Sequence, residues 1–345
     1  MASPTSKIDN PKAFIFDMPT GIAATRDHQA FMRDNEHMAL AFPIPGLQYY
    51  FHPVYPGEQA TIFAESHNYK TGFMDFWASF AAQKMAEKQA KAVIVKINTE
   101  DAIETSITGE LTRHGGGLLD DLSSGKILDE QEYIHAEVTA GALPIVHIGE
   151  SLGMDDSNAG LLYLSNIIRL IDYIRKSYFA EPVQIAAIFL DYIQALPFDP
   201  EFRNGAHMEG TRRLQVIQDE TRIRRAAKYF SCPVIMAAQS RELADKKDGM
   251  RMPGFYDIQE STFVSQRSDR LYSLALPKMS AHPGQVIDVG PISFKVNDEQ
   301  LWIKCHKQKH YKNVGAAFPL LIKENGDVTV DKEIFGKIQT MEKRP

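Results

Sequence analysis

A lysine and a threonine, Lys70 and Thr71, stand where the sequence changes from a strand pattern to a helix pattern. The apolar run 60–64 predicts a strand, and the segment 72–91 predicts a helix. In such a strand–turn–helix arrangement, helix N–H groups and the lysine bind phosphates, and the threonine hydroxyl binds Mg²⁺. The turn between them is Glu65, Ser66, His67, Asn68 and Tyr69. We therefore predict that these seven residues contact the phosphates of a nucleotide.

The turn departs from the usual phosphate-loop pattern at two positions. The pattern has glycine where this chain has Ala64 and Tyr69. Alanine is a small change, but a tyrosine brings a Cβ and a ring to a place where the backbone must curl closely around phosphate. A Lys-Thr pair at a helix start is also found at ordinary solvated helix ends. The nucleotide interpretation therefore depends on residues elsewhere in the chain.

Polar side chains follow three further predicted strands, each where the strand ends. Glu100 follows the second strand, which we expect to neighbour the first, and it could orient or deprotonate an attacking water; its alternative role is to cap the next helix. Asp191 has the position of a carboxylate that holds Mg²⁺, although any strand can end in aspartate. Gln239 could sense a γ-phosphate. Because parallel strands end at one edge of a sheet, these residues together predict a nucleotide site there.

Apolar runs alternate with helix-length segments, which indicates an α/β fold with a mostly parallel central sheet flanked by helices. Several runs are almost continuously hydrophobic, as expected of strands buried on both faces. The last third has strands and few helices, which predicts a hairpin at the edge of the sheet. The strand candidates are 60–64, 92–97, 143–148, 184–190, 233–238, 270–276, 301–307 and 318–322. The helix candidates are 72–91, 101–112, 158–178 and 209–230.

Size and composition limit the class of protein. With 345 residues, 44% hydrophobic and 24% charged, the chain can bury a full core and is typical of soluble globular proteins. Two cysteines, Cys232 and Cys305, fit a reducing cytosol and argue against a disulfide scaffold. We find no signal-peptide pattern and no apolar run near the ~20 residues of a membrane span, so we expect a cytoplasmic protein without a membrane partner. A net charge of -6 argues against bulk polyanion binding and allows a local basic loop.

In this order, the residues resemble the motor domain of DnaB-type replicative helicases and, more distantly, RecA and KaiC. The segments AESHNYKT, INTE and IFLDYIQAL resemble the family's phosphate loop, its glutamate and its Mg²⁺-binding segment. The run RRAAKYFSCPVIMAAQSREL resembles the helix, strand and glutamine that follow. The most specific match is Asp257-Ile258-Gln259-Glu260-Ser261, continuing to Gln266 and Asp269. The resemblance covers residues 44–325.

The resemblance implies a RecA-like ATPase that uses ATP, or another NTP, with Mg²⁺. Lys70 would contact the β- and γ-phosphates, and Thr71 and Asp191 would hold the metal ion. Glu100 would act as the catalytic base and Gln239 as a sensor of the γ-phosphate.

The resemblance also implies partners. Lys307 and Lys309 stand where the family supplies a basic finger to the neighbouring subunit's nucleotide, with Lys309 in place of the usual arginine, which loses bidentate geometry. This implies a homo-oligomer, a hexameric ring by resemblance. In the family, the loop at 240–256 tracks single-stranded DNA, although a solvated surface loop is an equally good interpretation. The basic residues of this loop are Arg241, Lys246, Lys247 and Arg251.

We expect an N-terminal extension over 1–43, an ATPase domain over 44–330 and a C-terminal tail over 331–345, without the separate helical N-terminal domain of replicative helicases. The leading hypothesis is a ring ATPase acting on single-stranded DNA, of the kind carried by a phage, a plasmid or a mobile element. The alternative is a catalytically weakened RecA-fold scaffold for assembly or DNA binding, for which Tyr69 is the best support. A KaiC-like signalling ATPase without DNA is a third possibility.

Overall fold

The computed structural model describes residues 17–34, 38–127, 129–152, 160–199, 211–242, 250–259, 262–289, 292–309 and 314–342. The strands in these ranges are β1 (Gln59–Ala64), β2 (Ala92–Asn98), β3 (Ile145–Ile148), β4 (Gln184–Asp191), β5 (Val234–Gln239), β6 (Arg270–Ala275), β7 (Val286–Val289), β8 (Ile292–Lys295), β9 (Gln300–Gln308), β10 (Ala317–Ile322) and β11 (Val328–Val330). The α-helices are α1 (Met18–Asp34), α2 (Lys70–Glu87), α3 (Ile103–Arg113), α4 (Leu119–Ser123), α5 (Glu130–Gly141), α6 (Leu164–Tyr173), α7 (Thr211–Tyr229), α8 (Thr262–Arg267) and α9 (Lys332–Glu342). Within the described part of the chain, no helix is long and apolar enough to span a membrane.

The central sheet has nine strands in the order β11-β10-β9-β6-β1-β5-β4-β2-β3. The strands from β6 to β3 pair in parallel. In contrast, β9, β10 and β11 pair antiparallel and form the edge. The predicted α/β fold with a mostly parallel sheet and an antiparallel C-terminal hairpin is therefore confirmed. All eight predicted strands are present, whereas β11 and the β7–β8 hairpin were not predicted.

The order of the strands differs from our expectation for Glu100. We expected β2 to neighbour β1, but β5 and β4 lie between them. The chain returns after β2 and β3 to add β4 and β5 on the inner side, and β5 then pairs with β1 along six residues, from Gln59 to Ala64. The strand that ends in Gln239 is therefore placed between the phosphate-loop strand and the strand that ends in Asp191.

The sheet is covered on both faces. Successive residues of a strand point to opposite faces, so Ile62 lies in one core cluster with Trp77 of α2, and Phe63 lies in a second cluster with Ile223 of α7. All residues of β1 and β2 are buried. This two-sided burial explains why these strands read as continuous hydrophobic runs.

An aromatic group fixes the chain before β1 to the antiparallel edge of the sheet. The fully buried Phe51 stacks on Phe42 with ring centroids 4.3 Å apart. Its ring also meets Tyr272 of β6 at 5.3 Å and Phe318 of β10 at 5.4 Å. Residues from before β1, from β6 and from β10 therefore share one packed group.

We expect Phe51→Ala to lower the free energy of unfolding by about 3–5 kcal/mol, because it removes a fully buried ring and leaves a cavity. Urea denaturation followed by circular dichroism measures the change. Val138→Ala is the control, because Val138 is 68% exposed and should change stability by no more than about 0.5 kcal/mol. Equal losses for the two variants would contradict this account of the packing.

Candidate functional site

The loop between β1 and α2 is attached to two neighbouring strands. The buried side chain of Asn68 donates to the carbonyl of Ser66 at 3.1 Å and accepts from the N–H of Leu276, just after β6, at 2.8 Å. On the other side, the N–H of Ser240 donates to the carbonyl of Ala64 at 2.8 Å. Glu65 is largely buried, whereas Ser66 and His67 are exposed. The loop is therefore held in shape on both sides, with its tip open to solvent.

The start of α2 has the features of an anion site. No side chain caps the helix, and the N–H groups of a first helical turn have no partner within the helix. The Lys70 Nζ donates to the carbonyl oxygens of Glu65 at 3.0 Å and Ala64 at 3.4 Å. Burial lowers the pKa of Lys70, and the charges of Asp191 and Glu100 oppose that shift. A bound phosphate would give this ammonium group a charged partner in place of two carbonyls.

Asp191 and Thr71 form the part of the site that fits Mg²⁺. The Thr71 hydroxyl lies near enough to the carboxylate of Asp191 to lower its pKa. The carboxylate is buried at the end of β4, and its Oδ1 atom has no hydrogen-bond partner. Burial raises the pKa of Asp191 from 3.8 to about 6, and the nearby Thr71 hydroxyl opposes the shift. A divalent cation would satisfy the orphaned oxygen and the buried charge.

The oxygen donors of Thr71 and Asp191 agree with Mg²⁺. Within the described ranges, no group of three His, Cys, Asp or Glu side chains converges as metal ligands. Mg²⁺ usually binds one or two protein oxygens and takes its remaining ligands from water and phosphate. Thr71 and Asp191 supply that number.

Glu100 follows β2 at the edge of the sheet where β4 ends in Asp191. It is exposed, and together with Asp101 and Glu150 it lines an open cavity of about 480 Å³. Thr99 ties this segment to β4, because its N–H donates to the Asp191 carbonyl at 2.9 Å and its hydroxyl accepts from the N–H of Tyr192 at 3.0 Å. Although β2 does not neighbour β1, Glu100 and Lys70 are close enough to interact electrostatically.

Gln239 contacts the phosphate loop directly. Its Nε2 atom lies 2.5 Å from the Ser66 hydroxyl. Gln194 supports it: the side-chain oxygen of Gln194 accepts from the N–H of Gln239 at 3.1 Å, and its Nε2 lies 3.3 Å from the carbonyls of Gln239 and Gln259. We did not predict the supporting contacts of Gln194 and Thr99. Their signal in the sequence is their position, three residues after Asp191 and one before Glu100.

Tyr69 has the backbone conformation of a glycine. Its φ of 60° and ψ of 26° are left-handed, and its ring covers Gly72, where an added Cβ would lie 2.5 Å from the ring. The hydroxyl donates to the carbonyl of Gly326 at 2.8 Å, in the turn between β10 and β11. Burial raises the pKa of Tyr69 to about 12, and the charge of Arg113 opposes the shift. The ring thus leaves the loop in the direction of this turn.

Lys307 and Lys309 lie at the opposite end of the sheet from Lys70. Because β9 runs antiparallel to β6, its last residues pair with the first residues of β6, which in turn pair with the first residues of β1. The Lys309 ammonium is 3.4 Å from the carboxylate of Asp269, and the Lys307 ammonium donates to the carbonyl of Gln266 at 2.5 Å. The six residues of β1 separate the two ends by roughly 20 Å. The structure does not bring these lysines to the phosphate loop of their own chain.

Arg241 and Arg251 are exposed, and both contact Asp257. The Arg241 N–H donates to the Asp257 carbonyl at 2.7 Å, and the Arg251 guanidinium is 3.9 Å from the Asp257 carboxylate. The next part of this segment pairs with β5, because the N–H of Gln259 donates to the carbonyl of Gln239 at 2.8 Å. Four residues of the sequence predictions lie outside the described residues: Lys246, Lys247, Glu260 and Ser261.

Comparison with solved structures identifies the fold. A DnaB-like replicative helicase, solved to show its interactions with primase, matches with a TM-score of 0.59 and 15% identity over 81% of this chain and 58% of that one. A second match is a solved ATPase domain, with a TM-score of 0.65 and 15% identity over 91% of this chain and 99% of that one. No protein-family model and no curated protein matches the sequence. The chain therefore has the fold of a DnaB-type helicase motor domain and spans 58% of the length of the replicative helicase.

We expect Asp191→Asn to stabilise the protein at pH 8. The pKa of the Asp191 carboxyl is higher in the folded protein than in the unfolded chain, so protonation of Asp191 stabilises the folded state. This contribution to the free energy of unfolding is lost as the pH rises through 4 to about 6. At pH 8, asparagine should raise the free energy of unfolding by about 2–3 kcal/mol, and near pH 4 the gain should be small. Urea denaturation at both pH values measures it. Asp298→Asn is the control, because Asp298 is exposed. An effect of Asp191→Asn that does not depend on pH would show that the ionised Asp191 carboxylate does not destabilise the folded protein.

Proposed function

We propose that the protein is a Mg²⁺-dependent nucleotide hydrolase of the DnaB/RecA type that works as a ring on single-stranded DNA. The observation that carries the proposal is the meeting of Lys70, Thr71 and Asp191 beside an uncapped helix N-terminus. Each of these features has a structural use by itself. Together they supply phosphate donors and a buried oxygen without a partner at one edge of the sheet.

In this proposal, the first-turn N–H groups of α2 and the Lys70 ammonium bind the β- and γ-phosphates. Thr71 and Asp191 orient Mg²⁺, which would neutralise charge on the phosphate oxygens. Binding moves Lys70 from the carbonyls of Ala64 and Glu65 to the phosphates. The loss of these two hydrogen bonds is offset by charge-assisted bonds to an anion.

Glu100 is the proposed base. Its exposed carboxylate is close enough to Lys70 to interact with its charge, and in this proposal it accepts a proton from a water that attacks the γ-phosphate. Gln239 is the proposed sensor. Its side chain already binds Ser66 in the loop, so a bound γ-phosphate would compete for the same amide and alter the contact between β5 and the loop.

The position of Lys307 and Lys309 supports the proposed assembly. They are too far from their own loop to reach a nucleotide there, and their charges would serve a site in a neighbouring protomer. Repetition of this head-to-tail contact around an axis closes a ring. Arg241 and Arg251, which are exposed and next to the loop end of β5, are proposed to contact the phosphates of single-stranded DNA.

We expect Glu100→Gln to reduce ATP hydrolysis by at least a factor of about 100 while leaving the affinity for Mg²⁺–ATP unchanged, because the amide cannot take the proton. Phosphate release and nucleotide titration measure the two quantities. Asp101→Asn is the matched control, since it removes a neighbouring exposed carboxylate. A wild type that is silent with and without single-stranded DNA, under conditions where it oligomerises, would contradict the proposed hydrolysis. Nucleotide binding without turnover would instead support the scaffold alternative.

We expect Lys309→Ala to be inactive alone and to regain activity when mixed with Glu100→Gln. In mixed rings, a protomer with an intact Glu100 can stand next to one with an intact Lys309, at roughly one interface in four for random mixing. Phosphate release by the mixture, after subunit exchange, is the measurement. A mixture no more active than the separate variants would contradict a role for Lys309 in the neighbouring site.

A further inference from the structure

The phosphate loop is held in a conformation that its own residues do not favour. Tyr69 has a φ of 60° and His67 a φ of 59°, both in the left-handed region where only glycine is free of steric cost. Both residues lie among the seven that would surround the phosphates. Contacts from outside the loop must therefore stabilise this shape.

Tyr69 makes such a contact with both parts of its side chain. The ring covers the first turn of α2 at Gly72, where any other residue would collide with it. The hydroxyl donates to the carbonyl of Gly326 at 2.8 Å. The chain thus has tyrosine instead of glycine at position 69, and it has glycine at position 72, where the tyrosine ring needs the space.

The turn that receives the hydroxyl is closed by its own hydrogen bonds and attached to α3. The N–H of Gly326 donates to the Lys323 carbonyl at 2.9 Å, and the N–H of Lys323 donates to the Asp327 carbonyl at 2.8 Å. The carboxylate of Asp327 also lies 3.5 Å from the guanidinium of the buried Arg113, at the end of α3. The side chain of Asn325 lies 3.4 Å from the Arg113 carbonyl. A turn that is closed internally and fixed to α3 is a firm support for the loop.

The helix α3 links this support to the proposed base. It begins at Ile103, three residues after Glu100, and ends at Arg113, which contacts the turn. The C-terminal end of α3 therefore contacts the turn that receives the Tyr69 hydroxyl, and its N-terminal end follows the segment of Glu100.

We propose that Tyr69 is a positioning residue whose hydroxyl bond to Gly326 keeps the phosphate loop in the shape that receives a nucleotide. This inference rests on the proposed function for the identity of the ligand. In this proposal, the tyrosine does not obstruct the phosphates. Glycine would adopt the left-handed backbone at position 69 without steric cost, whereas the tyrosine is held in it by the hydrogen bond to Gly326. A loop that holds this shape only part of the time binds nucleotide more weakly in proportion to that fraction.

Tyr69→Phe tests the inference, because it keeps the ring over Gly72 and removes the hydroxyl. A hydrogen bond of ordinary strength corresponds to a factor of roughly 2–10 in an equilibrium constant. We expect hydrogen exchange of the loop amides in the nucleotide-free protein to accelerate, and the affinity for a fluorescent ADP analogue with Mg²⁺ to fall, each by such a factor. The turnover rate at saturating ATP should change less than the affinity. Tyr178→Phe is the control, since it removes the hydroxyl of an exposed tyrosine.

Two further variants separate positioning from general damage. Tyr69→Ala keeps the steric cost of the left-handed backbone and loses every contact, whereas Tyr69→Gly removes that cost. We therefore expect the glycine variant to bind the ADP analogue more tightly than the alanine variant. Thermal unfolding monitors whether either variant still folds.

Unchanged loop exchange in Tyr69→Phe would overturn the positioning contact. Faster exchange with unchanged affinity would overturn its role in nucleotide binding, and tighter binding by Tyr69→Phe or Tyr69→Gly than by wild type would show that the side chain obstructs the site. A wild type that binds no nucleotide would contradict the proposed function. In that case, hydrogen exchange of the free protein still decides whether the contact holds the loop.

Discussion

Parallel pairing of β1, β5 and β4 is the constraint on which the candidate site depends. The register places Ala64 beside Gln239, and β5 pairs with β4 on its other side. The residues that leave these strands must therefore meet at one edge, although they are far apart in sequence. Thr99 extends the same edge to β2 through its bonds to the Asp191 carbonyl and the Tyr192 N–H. Burial of the strands on both faces fixes the register and, with it, the geometry of the polar residues.

The site holds charge at a cost to the free energy of folding. Asp191 is buried with one oxygen unsatisfied, and Lys70 donates to carbonyls that a charged ligand would replace. A protein selected only for stability would place an apolar or amide side chain at the end of β4. Buried groups with shifted pKa values in one cleft are typical of functional sites, and here they match a divalent cation and an anion. In the proposal, the site gives up folding stability in order to bind a nucleotide and Mg²⁺.

Local patterns predicted the strands, the main helices and the residues at the strand ends, because burial on both faces and a strand–turn–helix boundary leave signals within a few residues. They did not predict that β5 and β4 separate β2 from β1, since strand order is a long-range property. The helix α5 was missed because Ala136 is its single buried residue, so its apolar periodicity is weak. The contact of Tyr69 with Gly326 joins residues 257 positions apart, and no local pattern could reveal it. The sequence therefore indicated that a tyrosine in place of glycine would strain the phosphate loop. Only the fold shows that the Tyr69 ring lies over Gly72 and that its hydroxyl binds Gly326.

The most direct measurement is a crystal structure of the protein with Mg²⁺ and a non-hydrolysable ATP analogue. We expect phosphate oxygens within hydrogen-bond distance of the Lys70 ammonium and the first-turn N–H groups of α2, with the metal ion between Thr71 and Asp191. We also expect the Tyr69 hydroxyl to stay on the Gly326 carbonyl. A nucleotide bound elsewhere, or a Tyr69 ring turned into the loop in place of the phosphates, would contradict the proposed site.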